Sequence, residues 1–305
     1  MYPYDYAKDE TPFNMHLSGA SSTRSHYEVT FPSSCQTGVK EGNTVYASYF
    51  APAQQDTKTP LLIISHGYGD TSLAPCLTLA RLLVRSGIAA FVLYLPFHSR
   101  RLPAGGEGGT FSADTGTWVD FHRRAVIEIR QVVDWACTRP EIDHNKIGVA
   151  GISLGGMISA IAMAVDTRIR EGIFVTIGGN LEEVSWGGKL GETGIGHTCT
   201  REECHAVYTH HPGYLIEVAE KGVENVTPAK ECFLIDPLTF AEYLRQRPVL
   251  MINGKDDEVV SEQSTLTLWE AYGRPRLVWV PDTHAGTYSR APLISAEIVA
   301  FLNTV

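Results

Sequence analysis

From Ile63 onward the chain alternates short apolar runs with longer amphipathic segments, the pattern of a largely parallel sheet covered by helices. Buried strands are predicted at Leu61–Ser65, Ile88–Leu95, Lys146–Gly151, Gly172–Ile177, Pro248–Asn253 and Arg276–Val280. Most are rich in Val, Ile and Leu without strict alternation, as strands buried on both faces require. Helical patterns fall between them at Ala74–Arg85, Trp118–Cys137, Leu154–Val165, Glu262–Tyr272 and Leu293–Leu302. Upstream, His26–Phe31 and Thr44–Phe50 alternate more clearly and read as antiparallel edge strands, while residues 1–25 read as an arm with no regular pattern.

Two regions interrupt the alternation. Leu102–Thr117 is Gly-rich (GGEGG) and reads as a long loop leaving the C-terminal end of a strand. Residues 181–245 form an insertion between two strands, large enough for a few helices. A loop of that size inside a compact domain is usually functional. The expected organisation is an arm (1–25), an α/β core (26–180 and 246–305) and the insertion (181–245).

Composition narrows the class. With 305 residues, 44% hydrophobic and 19% charged, the chain can bury a large core without disulfides or metals. A net charge of −9 argues against a nucleic-acid partner, which needs a basic face to displace phosphate counterions. No run approaches the roughly 20 apolar residues of a membrane span, so no membrane partner is expected. The polar, aromatic start MYPYDYAKDETPFNMH has no apolar core of a signal peptide, so a cytoplasmic location is expected. The six cysteines (35, 76, 137, 199, 204 and 232) include no C-x-x-C pair and read as reduced thiols.

The sharpest chemical signal lies at Lys146–Gly156, KIGVAGISLGG. An apolar strand runs into Gly151-Ile152-Ser153-Leu154-Gly155-Gly156 and then into the apolar helix MISAIAMAV. This is a G-x-S-x-G nucleophile elbow in its strand–turn–helix setting. The turn lifts the Ser153 hydroxyl above the sheet edge, and Gly151 and Gly155 leave room for the close passage of strand and helix backbones. The helix N-terminus adds positive potential where an oxyanion would form.

Three further loops supply partners. After Leu61–Ser65 comes His66-Gly67-Tyr68-Gly69-Asp70, whose Gly-rich turn lets backbone N–H groups face the space above the nucleophile. The oxyanion donors are assigned to the backbone N–H groups of Tyr68 and Leu154. His66 is read as a brace for this loop rather than as the base. The strand Pro248–Asn253 ends in Gly254-Lys255-Asp256-Asp257-Glu258-Val259-Val260, where Asp257 holds the expected carboxylate position; Asp256 is the first alternative and Glu258 the second. His284, in a loop after the last strand, alone among the 11 histidines combines that position with the chain order Ser…Asp…His. His284 would then take and return the Ser153 proton while Asp257 orients the imidazole.

These residues closely resemble the α/β-hydrolase superfamily over about residues 44–304. The HGYGD loop and GISLGG elbow look most like its bacterial esterase and dienelactone-hydrolase-like branches, including acetyl-xylan-esterase-type enzymes. The resemblance implies an eight-stranded, mostly parallel sheet flanked by helices, with residues 181–245 as a helical cap. It also implies Ser153, Asp257 and His284 as a triad, and carboxylester hydrolysis without a cofactor. The chain departs from dienelactone hydrolases proper by having Ser in place of Cys. That Ser also argues against haloalkane dehalogenases and epoxide hydrolases, which use Asp there.

Within the insertion, His197, Cys199, Cys204, His205, His210 and His211 match no tight zinc spacing, and no metal site is expected. Thr200-Arg201-Glu202-Glu203 reads instead as a capping box opening a helix. Leu95–Arg101 (LPFHSRR) lies at a strand's C-terminal end, where ligands collect in open α/β sheets. His98, Arg100 or Arg101 would there meet a polar substrate group, or the arginines would pair with acidic loops. Trp118 and Trp186 are candidate pocket walls. The leading expectation is a serine carboxylesterase for small-molecule esters of short to medium acyl, or aryl, type. A peptidase or amidase with the same triad, and a non-catalytic ligand-binding protein of this fold, are the alternatives. The oligomeric state is left open by the sequence.

Overall fold

The computed structural model describes residues 4–8, 10–36, 40–53, 57–102, 115–193 and 198–304. Nine strands form one sheet: β1 (Asn14–Ala20), β2 (Arg24–Pro32), β3 (Thr44–Pro52), β4 (Thr59–Ser65), β5 (Ala89–Leu93), β6 (Ile142–Ile152), β7 (Glu171–Val175), β8 (Val249–Gly254) and β9 (Arg276–Val280). Their order is β1-β2-β3-β5-β4-β6-β7-β8-β9. The pairs β1/β2, β2/β3 and β3/β5 are antiparallel, and every other neighbouring pair is parallel.

Helices cover both faces of the sheet. In chain order they are α1 (Lys40–Asn43), α2 (Ala74–Leu83), α3 (Thr115–Cys137), α4 (Leu154–Val165), α5 (Leu181–Trp186), α6 (Lys189–Thr193), α7 (Arg201–Tyr208), α8 (His211–Lys221), α9 (Ala241–Leu244), α10 (Glu262–Ala271), α11 (His284–Ser289) and α12 (Ala291–Leu302). On one face, Leu79, Leu83, Ile294 and Ile298 of α2 and α12 pack on Leu62, Ile64 and Val92. On the other, Val126, Ile129 and Val133 of α3 and Ile158 and Ile161 of α4 pack on Ile63, Phe91 and Val149. Strands β5, β7 and β8 are buried at every position, which is why they lack alternation.

The sheet departs from expectation at its first edge. Residues 14–20, expected within an irregular arm, are β1, paired to β2 from Asn14↔Thr30 to Ala20↔Ser25. This strand is exposed at all but one residue, so backbone pairing holds it and no hydrophobic period marks it. The sheet therefore has nine strands rather than eight. His284, expected in a loop, opens the short helix α11, which the Thr283 side chain caps by accepting from Gly286 N at 3.1 Å.

Between β7 and β8 the chain leaves the sheet for α5 to α9 and several 3₁₀ turns. Helix α7 opens with the anticipated capping box: Thr200 Oγ1 accepts from Glu203 N at 3.2 Å, and Glu203 Oε2 accepts from Thr200 N at 2.8 Å. No helix among the described residues is long and apolar enough to cross a membrane.

Candidate active site

Ser153 joins β6 to α4 with φ 52° and ψ −120°, the left-handed region that a non-glycine residue occupies only under constraint. The constraint is steric. A Cβ on Gly151 would overlap the backbone of Gly155, and one on Gly155 would overlap the carbonyl oxygens of Ser65 and His66. Strand, turn and helix thus interlock, and Ser153 N donates to Val175 O on the next strand at 2.8 Å. The hydroxyl that this turn presents meets His284: Nε2 lies 3.0 Å from Ser153 Oγ.

The other face of the His284 ring meets a carboxylate. Nδ1 lies 2.9 Å from Asp257 Oδ1 and 2.8 Å from Oδ2. Asp257 Oδ1 also accepts the backbone N–H groups of Val259 at 2.9 Å and Val260 at 2.8 Å. In the neutral ring with Nδ1–H donating to this carboxylate, Nε2 is the acceptor facing the Ser153 hydroxyl. The neighbouring acids do other things. Asp256 is exposed, and Glu258 Oε2 accepts from His284 N at 3.1 Å, which tethers the start of α11 and holds the Glu258 carboxyl below its usual range.

Ser153 opens into a cavity of about 310 Å³. Tyr68 and Leu154, assigned from the sequence as oxyanion donors, both line it beside Ser153 and His284. Its remaining wall is largely apolar, from Met157 of α4, Leu181, Val184 and Trp186 of α5, Val207 of α7, and Ile235, Val259 and Val260. Trp118 and Trp186 both form part of this wall. Tyr68 and Trp118 face each other with ring centroids 5.7 Å apart.

Two of the expected substrate contacts lie elsewhere. His98 is fully buried beneath the Tyr68 loop and off the cavity wall; its Nε2 accepts Gly69 N–H at 3.1 Å and its Nδ1 donates to Pro96 O at 2.8 Å. The cause is the backbone: Phe97 and Ser99, on either side of it, have φ 57° and 51°, and these turns fold the side chain back into the protein. Arg100 is half exposed and pairs with Glu28 at 3.1 Å, so it too is off the wall. Arg101 takes the structural alternative, fully buried and bidentate on Glu128 at 2.6 and 2.7 Å. His66 is the brace expected of it, accepting Leu95 N–H on Nε2 at 3.0 Å.

His197 lies outside the described residues. Of its supposed companions, Cys199 and Cys204 line the cavity with Cys232, His205 pairs with Glu182 at 2.7 Å, and His211 packs on Tyr208 and Phe233. Among the described residues no three His, Cys, Asp or Glu side chains converge as a metal site. Burial pushes the Cys204 thiol up to about 12 and the Cys232 thiol up to about 11. All six cysteines are free thiols. Sequence reasoning missed this cysteine-lined part of the wall and also His122. The signal for the latter was its place one helical turn after Trp118, on the same face.

Residues 10–173 match the family model "Alpha/beta hydrolase domain containing 18". The chain belongs to that family. Two uncharacterized proteins of Mycobacterium tuberculosis, from strains CDC 1551 and H37Rv, are each 25% identical to it over 211 residues. The match covers 68% of this chain but 44% of each relative, so this family member spans less than half the length of those proteins. Among solved structures it is similar to an acetyl xylan esterase from Paenibacillus sp. R4 (TM-score 0.65, 16% identity, 97% of this chain and 88% of that one). It is also similar to acetyl xylan esterase 1 from Thermoanaerobacterium sp. JW/SL YS485 (TM-score 0.62, 18% identity, 98% and 91%). A third similar structure is ferulic-acid-bound Est1E from Butyrivibrio proteoclasticus (TM-score 0.59, 19% identity, 86% and 95%). At such identities these structures share the α/β-hydrolase fold of this family member.

Proposed function

We propose that the protein is a serine carboxylesterase that hydrolyses short to medium acyl, or aryl, esters through an acyl-enzyme. The observation that carries this reading is the continuous hydrogen-bond chain from Asp257 through His284 to Ser153 Oγ, opening on an apolar cavity. Ser153 Oγ attacks the ester carbonyl carbon as its proton passes to His284 Nε2, and Asp257 stabilises the resulting imidazolium. The carbonyl π electrons move onto oxygen, where the N–H groups of Tyr68 and Leu154 receive the charge. Collapse expels the alcohol oxygen, which takes the proton from Nε2 and leaves an acyl group on Ser153. Water, deprotonated by His284, repeats the cycle and releases the carboxylic acid. No cofactor enters any of these steps.

The acetyl xylan esterases among the similar structures agree with ester chemistry, and the cavity of about 310 Å³ suits a small acyl or aryl group rather than a polymer chain. Residues 181–245 serve in this reading as a cap, since Leu181, Val184, Trp186 and Val207 from that stretch complete the wall facing Ser153. The proposed setting is cytoplasmic, with neither nucleic acid nor membrane as partner. Turnover of p-nitrophenyl acetate and butyrate by the wild type, lost in Ser153→Ala, is the expected result. Amide turnover exceeding that of matched esters would replace this reading with a peptidase or amidase. Failure of a fluorophosphonate to label Ser153 in folded protein would leave a ligand-binding protein without catalysis.

A further inference from the structure

One polar group in the cavity wall has no part in the scheme above. His122 lies on α3, is 3% exposed and lines the cavity. Its Nδ1 donates to the carbonyl oxygen of Trp118 at 2.8 Å, one turn earlier on the helix. That bond fixes the tautomer and makes Nε2 the acceptor. Burial pushes the imidazole down to about 4, so the ring is neutral near pH 7. Among the described residues none donates to Nε2.

In a cavity that a bound molecule empties of water, a ligand that brings a donor to this acceptor gains one hydrogen bond. The chemistry of that donor is constrained by the rest of the wall. No Asp or Glu side chain lines the cavity among the described residues, and Lys230 does line it, so a cationic donor would be repelled and left without a counter-charge. A carboxylate has no hydrogen to offer Nε2. A neutral hydroxyl satisfies both conditions, and Leu181, Val184 and Ile235 cover the apolar remainder of such a molecule.

We propose that His122 is a specificity residue that accepts a hydrogen bond from a substrate hydroxyl, making hydroxylated esters the preferred substrates of this site. The proposal rests on the esterase reading for its chemistry but on the wall alone for its selectivity. The second nitrogen, held by Trp118, keeps the ring from rotating away, so the preference is built into α3 and requires no loop movement.

Two matched series test it: p-nitrophenyl esters of ω-hydroxy against plain alkanoic acids, and butyrates of hydroxyalkyl against plain alkyl alcohols, each varied in chain length. In at least one series the wild type should favour the hydroxylated member by about tenfold in kcat/KM, the value of one neutral hydrogen bond. In His122→Phe that ratio should fall to within about threefold of unity, and in His122→Gln, whose amide oxygen also accepts, part of it should return. No preference in either wild-type series, or a preference that survives in His122→Phe, overturns the proposal. The same ratio, read as binding to Ser153→Ala by quenching of tryptophan fluorescence, decides the matter without turnover. A wild type that hydrolyses no ester but binds hydroxylated ones better would therefore sink the esterase reading and keep this one.

Discussion

The Tyr68 loop is held by two histidines that exchange partners. His66 ends β4 and its Nε2 accepts the N–H of Leu95, in the loop after β5, at 3.0 Å. His98 belongs to that second loop and its Nε2 accepts the N–H of Gly69, in the first, at 3.1 Å. Each Nδ1 donates to a carbonyl of its own loop, Gly67 O for His66 and Pro96 O for His98, both at 2.8 Å. The rings meet edge to face at 4.8 Å and both are fully buried. Burial pushes His66 down to about 3 and also lowers His98. Both are therefore neutral acceptors, and Tyr68 sits between the residues they anchor.

Replacing His98 by Phe keeps the ring's bulk and removes both of its hydrogen bonds. Gly69 N–H then loses its acceptor; Gly69 itself is exposed, so water can replace part of the bond and the cost is about 0.5–1.5 kcal/mol. If Tyr68 N–H is an oxyanion donor, its displacement should lower kcat by on the order of 10–10² with little change in KM, bounded by the ~2.7–4 kcal/mol lost when such a donor is removed outright. Because both histidines tie the same two loops, His66→Phe and His98→Phe together should cost less than the sum of the single changes, by about 0.5–3 kcal/mol. Urea unfolding gives the stability terms and p-nitrophenyl butyrate turnover the kinetic ones. The pH dependence adds a control. Both rings bind protons more weakly folded than unfolded, so stability should fall as pH drops below about 6.5; for His66 the fall continues towards pH 3, at up to about 1.4 kcal/mol per pH unit. A His98→Phe enzyme with kcat within twofold of wild type would refute the claim that the brace positions Tyr68.

Two other buried groups give predictions of opposite sign. Glu128 and Arg101 form an ion pair with both side chains at 0% exposure, and Arg101 also donates to Tyr94 O and Gly42 O at 2.8 Å each. Glu128→Gln leaves that guanidinium without its counter-charge and should cost about 3–5 kcal/mol in urea unfolding; a loss below about 1 kcal/mol would show the pair to be dispensable. Glu171, at the start of β7, is pushed up to about 7 by burial. Its folded form binds the proton more tightly than the unfolded chain, so stability should fall as pH rises from about 4.5 to 7. Glu171→Gln should abolish that fall and raise stability at pH 8 by on the order of 1–2 kcal/mol, visible as a higher Tm; an unchanged Tm profile from pH 4 to 8 would refute the assignment.

What could be read from the chain, and what could not, follows from how each part is held. Strands β4, β5, β7 and β8 and the second half of β6 are apolar runs because helices bury them on both faces, so composition alone betrays them; β1 is held by backbone pairing and leaves no mark in side-chain chemistry. Ser153 was legible because its turn excludes a Cβ at Gly151 and Gly155, which forces the motif into the sequence. The acid was less so: Asp256, Asp257 and Glu258 are chemically similar, and only the turn that gives Asp257 Oδ1 the N–H groups of Val259 and Val260 aims one of them at His284. His98 and Arg100 were misread for the same reason in reverse. Their place at a strand's C-terminal end suggested a ligand contact, but Phe97 and Ser99 turn the chain there with positive φ, and nothing in their identity announces it. The cavity wall is the extreme case. Trp118 and His122 come from α3, Trp186 from α5, Cys204 from α7 and Val260 from the loop after β8, so no stretch of sequence carries its pattern. In the proposed function, reaction chemistry sits on one rigid turn and its two partners, whereas selectivity is distributed over segments that meet only when folded, and His122 is the group that one such segment, an otherwise ordinary amphipathic helix, would contribute to it.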